Sequence, residues 1–321
     1  ANGGETLTVV PAASTAIYDA AGNAASTTQS NNTASLTEKI LPTITNVTST
    51  TGNGSYKQGD VIAITVVFSE VVNVTGTPQL TLNNVSGGSN PVVNYSTGTG
   101  SNTLTFNYTV GSGETSNDLD YFATNSLALN GGTIKDAALN DATLTLASPG
   151  AANSLGANKD LIVDNTVPTI SSVGLNAANS ELTVTFSEDV YNTNGGSGNL
   201  EVADFALSIT GSGAGVNATP GSISSSDPKV WVLGVTITGT ANGSETLTVV
   251  PAAGNAIYDA AGNAASTSQS NNTASLTEKV LPTITDVTST TGNGSYKQGE
   301  TIAITVAFSE VVNVTGTPQL T

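Results

Sequence analysis

Residues 103–110 read Thr-Leu-Thr-Phe-Asn-Tyr-Thr-Val, and that alternation decides the fold. Leu104, Phe106, Tyr108 and Val110 fall on one face of an extended chain, with Thr103, Thr105, Asn107 and Thr109 on the other. A period of two is that of a strand with one buried face. The same period recurs at Ile62, Ile64, Val66 and Phe68, at Leu182, Val184 and Phe186, and at Phe205, Leu207 and Ile209. It returns at Trp231, Leu233, Val235 and Ile237, and at Leu247 and Val249. Leu7 with Val9, Leu80 with Leu82, Val92 with Val93, and Leu144 with Leu146 mark shorter strands. No stretch carries a sustained apolar stripe of helical period. Many short strands joined by turn-rich loops predict an all-β protein of Greek-key β-sandwiches.

Working outward, the chain repeats itself. Residues 1–81 return as residues 241–321, an offset of 240, with nine differences among 81 positions. A long-period, near-identical repeat is the signature of an array. Leu41-Pro42-Thr43-Ile44, Val167-Pro168-Thr169-Ile170 and Leu281-Pro282-Thr283-Ile284 mark three starts, 126 and 114 residues apart. Proline there fixes φ and biases the preceding residue to extended geometry. Shared landmarks follow each start, Phe68-Ser69-Glu70 and Phe186-Ser187-Glu188 early, Asp136-Ala137-Ala138 and Asp259-Ala260-Ala261 late. The expected organisation alternates two related modules. Residues 1–41 are the C-terminal part of a type 2 module, 42–166 a complete type 1 module, 167–280 a complete type 2 module, and 281–321 the N-terminal part of a type 1 module. End-to-end joining of separate chains would not complete a module, so the sequence reads as a window on a longer polypeptide. Interposing a different module between identical ones also keeps like strands from pairing with like.

Composition narrows the function. There is no Cys and no His, and all seven basic residues are Lys. Disulfides, thiol nucleophiles and transition-metal sites built on soft or imidazole ligands are therefore excluded. No apolar run approaches the ~20 residues of a membrane-spanning helix. The net charge is −17, which opposes binding to nucleic acid and to anionic membranes. As candidate pairs for acid–base hydrolysis, Glu188 and Asp189 are adjacent and would point to opposite faces of a strand, and Asp118 and Asp120 would share a face but nothing in the sequence marks a cleft around them. The Gly-rich run 211–215 lacks the helix and Lys-Ser/Thr of a phosphate loop. The expectation is a protein that is not an enzyme.

The landmarks also carry a resemblance. VVFSEVV (66–72), DLDY (118–121), LALNGGTIKDAALN (127–140), SLGANKDLIVDNTVPTI (154–170) and IYDAAGN (257–263) resemble the immunoglobulin-like repeats of giant bacterial adhesins and of cyanobacterial motility-associated surface proteins. The resemblance implies tandem immunoglobulin-like sandwiches in a linear, extracellular, often calcium-stiffened rod at the cell surface. Its implied partners are neighbouring repeats of the same chain and, laterally, identical chains. The family's linker reads Asp164-Asn165-Thr166-Val167-Pro168 at one junction and Glu38-Lys39-Ile40-Leu41-Pro42 at the other. Two further readings stand beside the rod: a glycan- or ligand-binding module, which would need exposed aromatics, and a subunit of a multi-chain fibre.

The chemistry-bearing residues are hard oxygen donors. Glu70, Glu188 and Glu310 each follow a Phe at a strand end. Asp19, Asp136 and Asp259 open turns that close on Asn23, Asn140 and Asn263 four residues later, and Asp164 precedes a strand. Gathered at a module end, such groups supply the six to eight oxygens that Ca²⁺ takes; dispersed, they cap turns and face water. Calcium at module ends is the expectation, with the Val163–Pro168 junction stiffer than the Lys39–Pro42 one.

Overall fold

The protein is described from a computed structural model covering residues 1–83 and 89–321. Its regular secondary structure is almost entirely β-strand, with one four-residue helix, Leu155–Asn158, and one 3-10 turn, Val202–Asp204, among the described residues. Two compact units form. The first comprises Ala1–Val167, Thr193–Ser197 and Tyr258–Ala264; the second comprises Pro168–Asn192, Gly198–Ile257 and Ala265–Thr321.

In the first unit the 15-residue strand Val61–Thr75 organises the rest. It pairs antiparallel with Ile44–Ser49 on one side and with Ser101–Thr109 on the other, and its far end pairs with Thr133–Lys135. Val92–Thr97 continues the sheet from Ser101–Thr109 to Gln79–Thr81 and then Leu127–Ala128. A separate parallel pair joins Leu161–Val163 to Gly54–Tyr56. The expected inward faces are inward: Ile62, Ile64, Val66 and Phe68 meet Leu104, Phe106, Tyr108 and Val110 in one core. On the opposite face of the long strand Val61 is exposed and Thr65 is buried.

The second unit has two sheets around one core. The order in one is Ile170–Leu175, Glu181–Phe186, Val230–Gly234, Ser222–Asp227, and in the other Phe205–Thr210, Thr246–Pro251, Thr273–Ser275. Alternate residues of both sheets, Leu182, Val184, Phe186, Trp231 and Leu233 from one and Phe205, Leu207, Leu247 and Val249 from the other, share a single cluster. That is the sandwich arrangement, in which each sheet buries its apolar face against the other. Trp231 is buried, and its indole N–H donates to the Pro228 carbonyl at 2.9 Å.

One expectation needs correcting. Leu144 and Leu146 lie outside any strand; the segment touches the sheet only through isolated bridges at Asp141 and Thr143. Leu146 is nonetheless buried, so the apolar pair reported burial, and its backbone simply has no continuous neighbour to pair with.

Candidate functional site

Three copies of one turn supply most of the predicted oxygen donors. In the first, the Asp19 carboxylate accepts from the N–H groups of Ala21 and Asn23 and from the Asn23 amide, each at 2.9 Å. In the second, Asp136 accepts from Asn140 N–H at 2.8 Å and from its side-chain amide at 2.7 Å. In the third, Asp259 accepts from the same two groups of Asn263, each at 2.8 Å. The Asp fixes the turn by bonding local backbone, as the sequence predicts. Gly22 and Gly262 sit at φ +85°, whereas the equivalent position in the middle copy is Leu139, at φ 71°.

The three turns differ in setting. Asp19 is exposed, and Asp136 and Asp259 are buried. The Asn140 amide reaches on to the carbonyls of Glu38 and Ile40, at 3.3 and 3.5 Å, and that of Asn263 reaches the Asp164 carbonyl at 2.9 Å. These asparagines thus donate through nitrogen, fastening each late turn to the stretch before a proline. Lys57, which sequence reasoning did not single out, donates to the Ala261 carbonyl and to Asn194 Oδ1, both at 3.3 Å. Its only sequence signal was rarity, as one of seven cations.

Electrostatics separate the copies further. The Asn23 side chain and then its backbone N–H hold Asp19 below the usual aspartate range. Burial alone would raise Asp136, but the hydrogen bonds from Asn140 and the turn backbone outweigh it and the net shift is downward. At Asp259 burial wins over the Asn263 bonds, the nearby Asp164 charge adds to it, and the net shift is upward. Glu70 is raised by burial, then by Asp136 and Glu38. Removing a carboxylate from water and placing like charges near it both favour the protonated form.

Asp164 and Asp259 belong to the first unit, where the Asp164 charge bears on the buried Asp259 carboxyl; Glu188, partly buried, belongs to the second unit. Asp136 and Glu38 are close enough to Glu70 to raise it, but these three form no group with metal-ligand spacing. Glu310 is exposed and Asp19 keeps to its own turn, so neither joins a cluster.

The two aspartates weighed as an acid–base pair are differently committed. Asp120 is buried and accepts from Tyr121 N–H at 2.8 Å and from Gly150 N–H at 2.9 Å. Asp118 is exposed as a residue, but partial loss of water around its carboxyl and then the charges of Asp120 and Asp160 raise it. Among the described residues no helix is long and apolar enough to cross a membrane. No protein-family model matches the chain, and no curated protein matches it in sequence.

Proposed function

We propose that the chain is a structural tandem-repeat segment of a giant extracellular surface protein, one that forms a rod, stalk or fibre and is not an enzyme. The observation that carries this reading is the return of residues 1–81 as 241–321 with nine changes in 81 positions. Near-identity over that length preserves the end of one module and the start of the next, as a repeating array requires and a single site does not. The all-β fold, the hard-oxygen chemistry and the strong negative charge fit an extracellular array of immunoglobulin-like modules. The single tryptophan, Trp231, is buried and gives no platform for a sugar, whereas Tyr18 and Phe122 are exposed. A glycan-array screen with no binder would weigh against the glycan-binding alternative.

In this reading Ca²⁺ sits at module ends, with Asp164 and Asp259 of the first unit among its ligands. The chemistry favours a hard cation, because every donor is an oxygen. Bringing carboxylates together is unfavourable without one, as like charges repel most strongly where water is excluded. A cation reverses the sign of that term and stabilises the folded state in proportion to the logarithm of its excess, about 2.7 kcal/mol at a hundredfold excess over Kd. Two measurements test the proposal. The intact mass of the native protein should far exceed that of 321 residues; equality would overturn the array reading. Thermal melting should rise with calcium over chelator, and Asp259→Asn should abolish the difference. Equal melting in both conditions would show that these carboxylates bind no calcium.

A further inference from the structure

Four Asn-Gly pairs lie between residues 42 and 280: Asn53-Gly54, Asn130-Gly131, Asn194-Gly195 and Asn242-Gly243. Such a pair carries its own nucleophile. The glycine nitrogen is placed to attack the asparagine side-chain carbon, and the missing Cβ leaves that approach unhindered. Two conditions govern the reaction. The glycine N–H must be uncommitted, and the charge that develops on the side-chain oxygen must be stabilised.

The structure sorts the four pairs on both conditions. The Gly54 N–H donates to the Asp160 carbonyl at 3.0 Å, and the Gly243 N–H donates to Glu245 Oε2 at 3.0 Å. Those two nitrogens are committed. The N–H groups of Gly131 and Gly195 make no hydrogen bond among the described residues. Asn130 and Asn194 are both exposed, but they differ in what meets the side chain. The Asn130 amide nitrogen donates to the Thr77 carbonyl at 3.2 Å. Asn194 instead accepts through Oδ1 from the Lys57 ammonium at 3.3 Å. The Ala261 carbonyl holds the same ammonium, also at 3.3 Å. Gly262 leaves the space for this meeting, since a Cβ there would fall 1.8 Å from Asn194 Oδ1 and 2.8 Å from Lys57 Nζ. Lys57, Thr193–Ser197 and Tyr258–Ala264 all belong to the first unit.

We propose that Asn194 is a self-modification site, converted to aspartate and isoaspartate through a cyclic imide, with Lys57 as the catalytic cation. The Gly195 nitrogen gives its proton to hydroxide and bonds to Asn194 Cγ. Negative charge collects on Oδ1, where the ammonium already donates, and a charge that grows during the reaction gains more from that donor than the neutral amide does. The bond from Cγ to Nδ2 then breaks, and the nitrogen takes a proton from water and leaves as ammonia. Water adds to either carbonyl of the imide and opens it, to aspartate or to isoaspartate. Asparagine and water thus become an acid and ammonia, with no oxidant, reductant or cofactor. The new carboxylate stays beside Lys57, so an ion pair replaces a neutral contact. This inference is independent of the role proposed above.

The test is peptide mapping by mass spectrometry on the full chain, aged in mildly alkaline buffer, with the converted fraction followed at all four pairs. Asn194 should convert fastest, about tenfold faster than Asn130, a smaller gain than a buried donor gives because the site is exposed. Asn53 and Asn242 should be slower than both. Lys57→Gln keeps a donor but removes the charge, and it should slow Asn194 by about tenfold while leaving Asn130 unchanged. Lys57→Arg should keep most of the wild-type rate. Asn130 is the reference within each sample, so a general loosening of the fold would show there as well. An Asn194 no faster than Asn130 in the wild-type chain would overturn the proposal, and that comparison needs no substitution. So would a Lys57→Gln chain that converts Asn194 as fast as the wild type.

Discussion

Residues 1–41 and 241–281 are nearly the same sequence in two settings, and the contrast isolates what neighbours add. Both form the same local pairing: Thr6, Leu7 and Thr8 oppose Ser35, Ala34 and Thr33, and Thr246, Leu247 and Thr248 oppose Ser275, Ala274 and Thr273. In the first setting the strand stops at three residues and its leucine is exposed. In the second, Phe205–Thr210 pairs along its whole length, the strand runs to six residues, and the leucine is buried. The other duplicated segment repeats the lesson. Ile44, Asn46 and Val47 oppose Phe68, Val67 and Val66, and Ile284, Asp286 and Val287 oppose Phe308, Ala307 and Val306, bulge included. Flanked by Ser101–Thr109 and Thr133–Lys135, the strand reaches 15 residues; without such flanks its copy spans five. Local pairing sets register, and non-local pairing sets length and burial.

The largest effect should come from one substitution made in both settings. Leu247→Ala removes a side chain from a closed core and should cost about 2–5 kcal/mol. Leu7→Ala, at an exposed strand, should change stability by less than about 0.5 kcal/mol. Urea denaturation of the two variants measures both, and similar costs would break the comparison.

A smaller effect should distinguish the three Asp turns. Leu139 holds a left-handed conformation that costs a non-glycine residue roughly 1–2 kcal/mol, while Gly22 and Gly262 hold it freely. Leu139→Gly should stabilise the first unit by about 0.5–1 kcal/mol, the strain relieved less the added unfolded-state entropy of glycine. The reverse change at Gly262 should destabilise it, since a Cβ there would fall 1.8 Å from Asn194 Oδ1. A melting temperature unchanged by Leu139→Gly would mean the turn relaxes around its leucine.

The smallest effect should be in the pH dependence, and its sign should differ between turns. The Asp136 pKa is lowered in the folded state, so its contribution is present above the unfolded pKa and is lost as pH falls through the folded one. The Asp259 pKa is raised, so the folded state holds the extra proton between the ordinary aspartate pKa and the raised one. Stability then declines as pH rises through that window and levels off above it. Asp136→Asn should flatten the acid limb of stability against pH, and Asp259→Asn should remove the decline just above it. Shifts of the same sign in both variants would show that burial governs the two turns alike.

The alternation of apolar and polar residues told which side chains face inward, because a strand's side chains alternate whatever it pairs with. Leu104, Phe106, Tyr108 and Val110 were legible for that reason. Leu144 and Leu146 were misread as strand, because burial and pairing are separate requirements and a sequence pattern reports only the first. The turn chemistry of Asp19, Asp136 and Asp259 was legible too, since each bonds residues within four positions.

What the chain determined by itself is therefore its local order: face, register, bulge and turn, all fixed by interactions between near neighbours. The tertiary structure decided whether Leu7 or Leu247 is covered, how far the strand beginning at Val61 runs, and whether an Asp turn is raised or lowered in pKa. It also decided that Asp164 comes near the Asp259 turn, 95 positions away in sequence. Those outcomes depend on groups far apart in sequence, and dehydration and charge proximity are properties of the folded environment rather than of the residue.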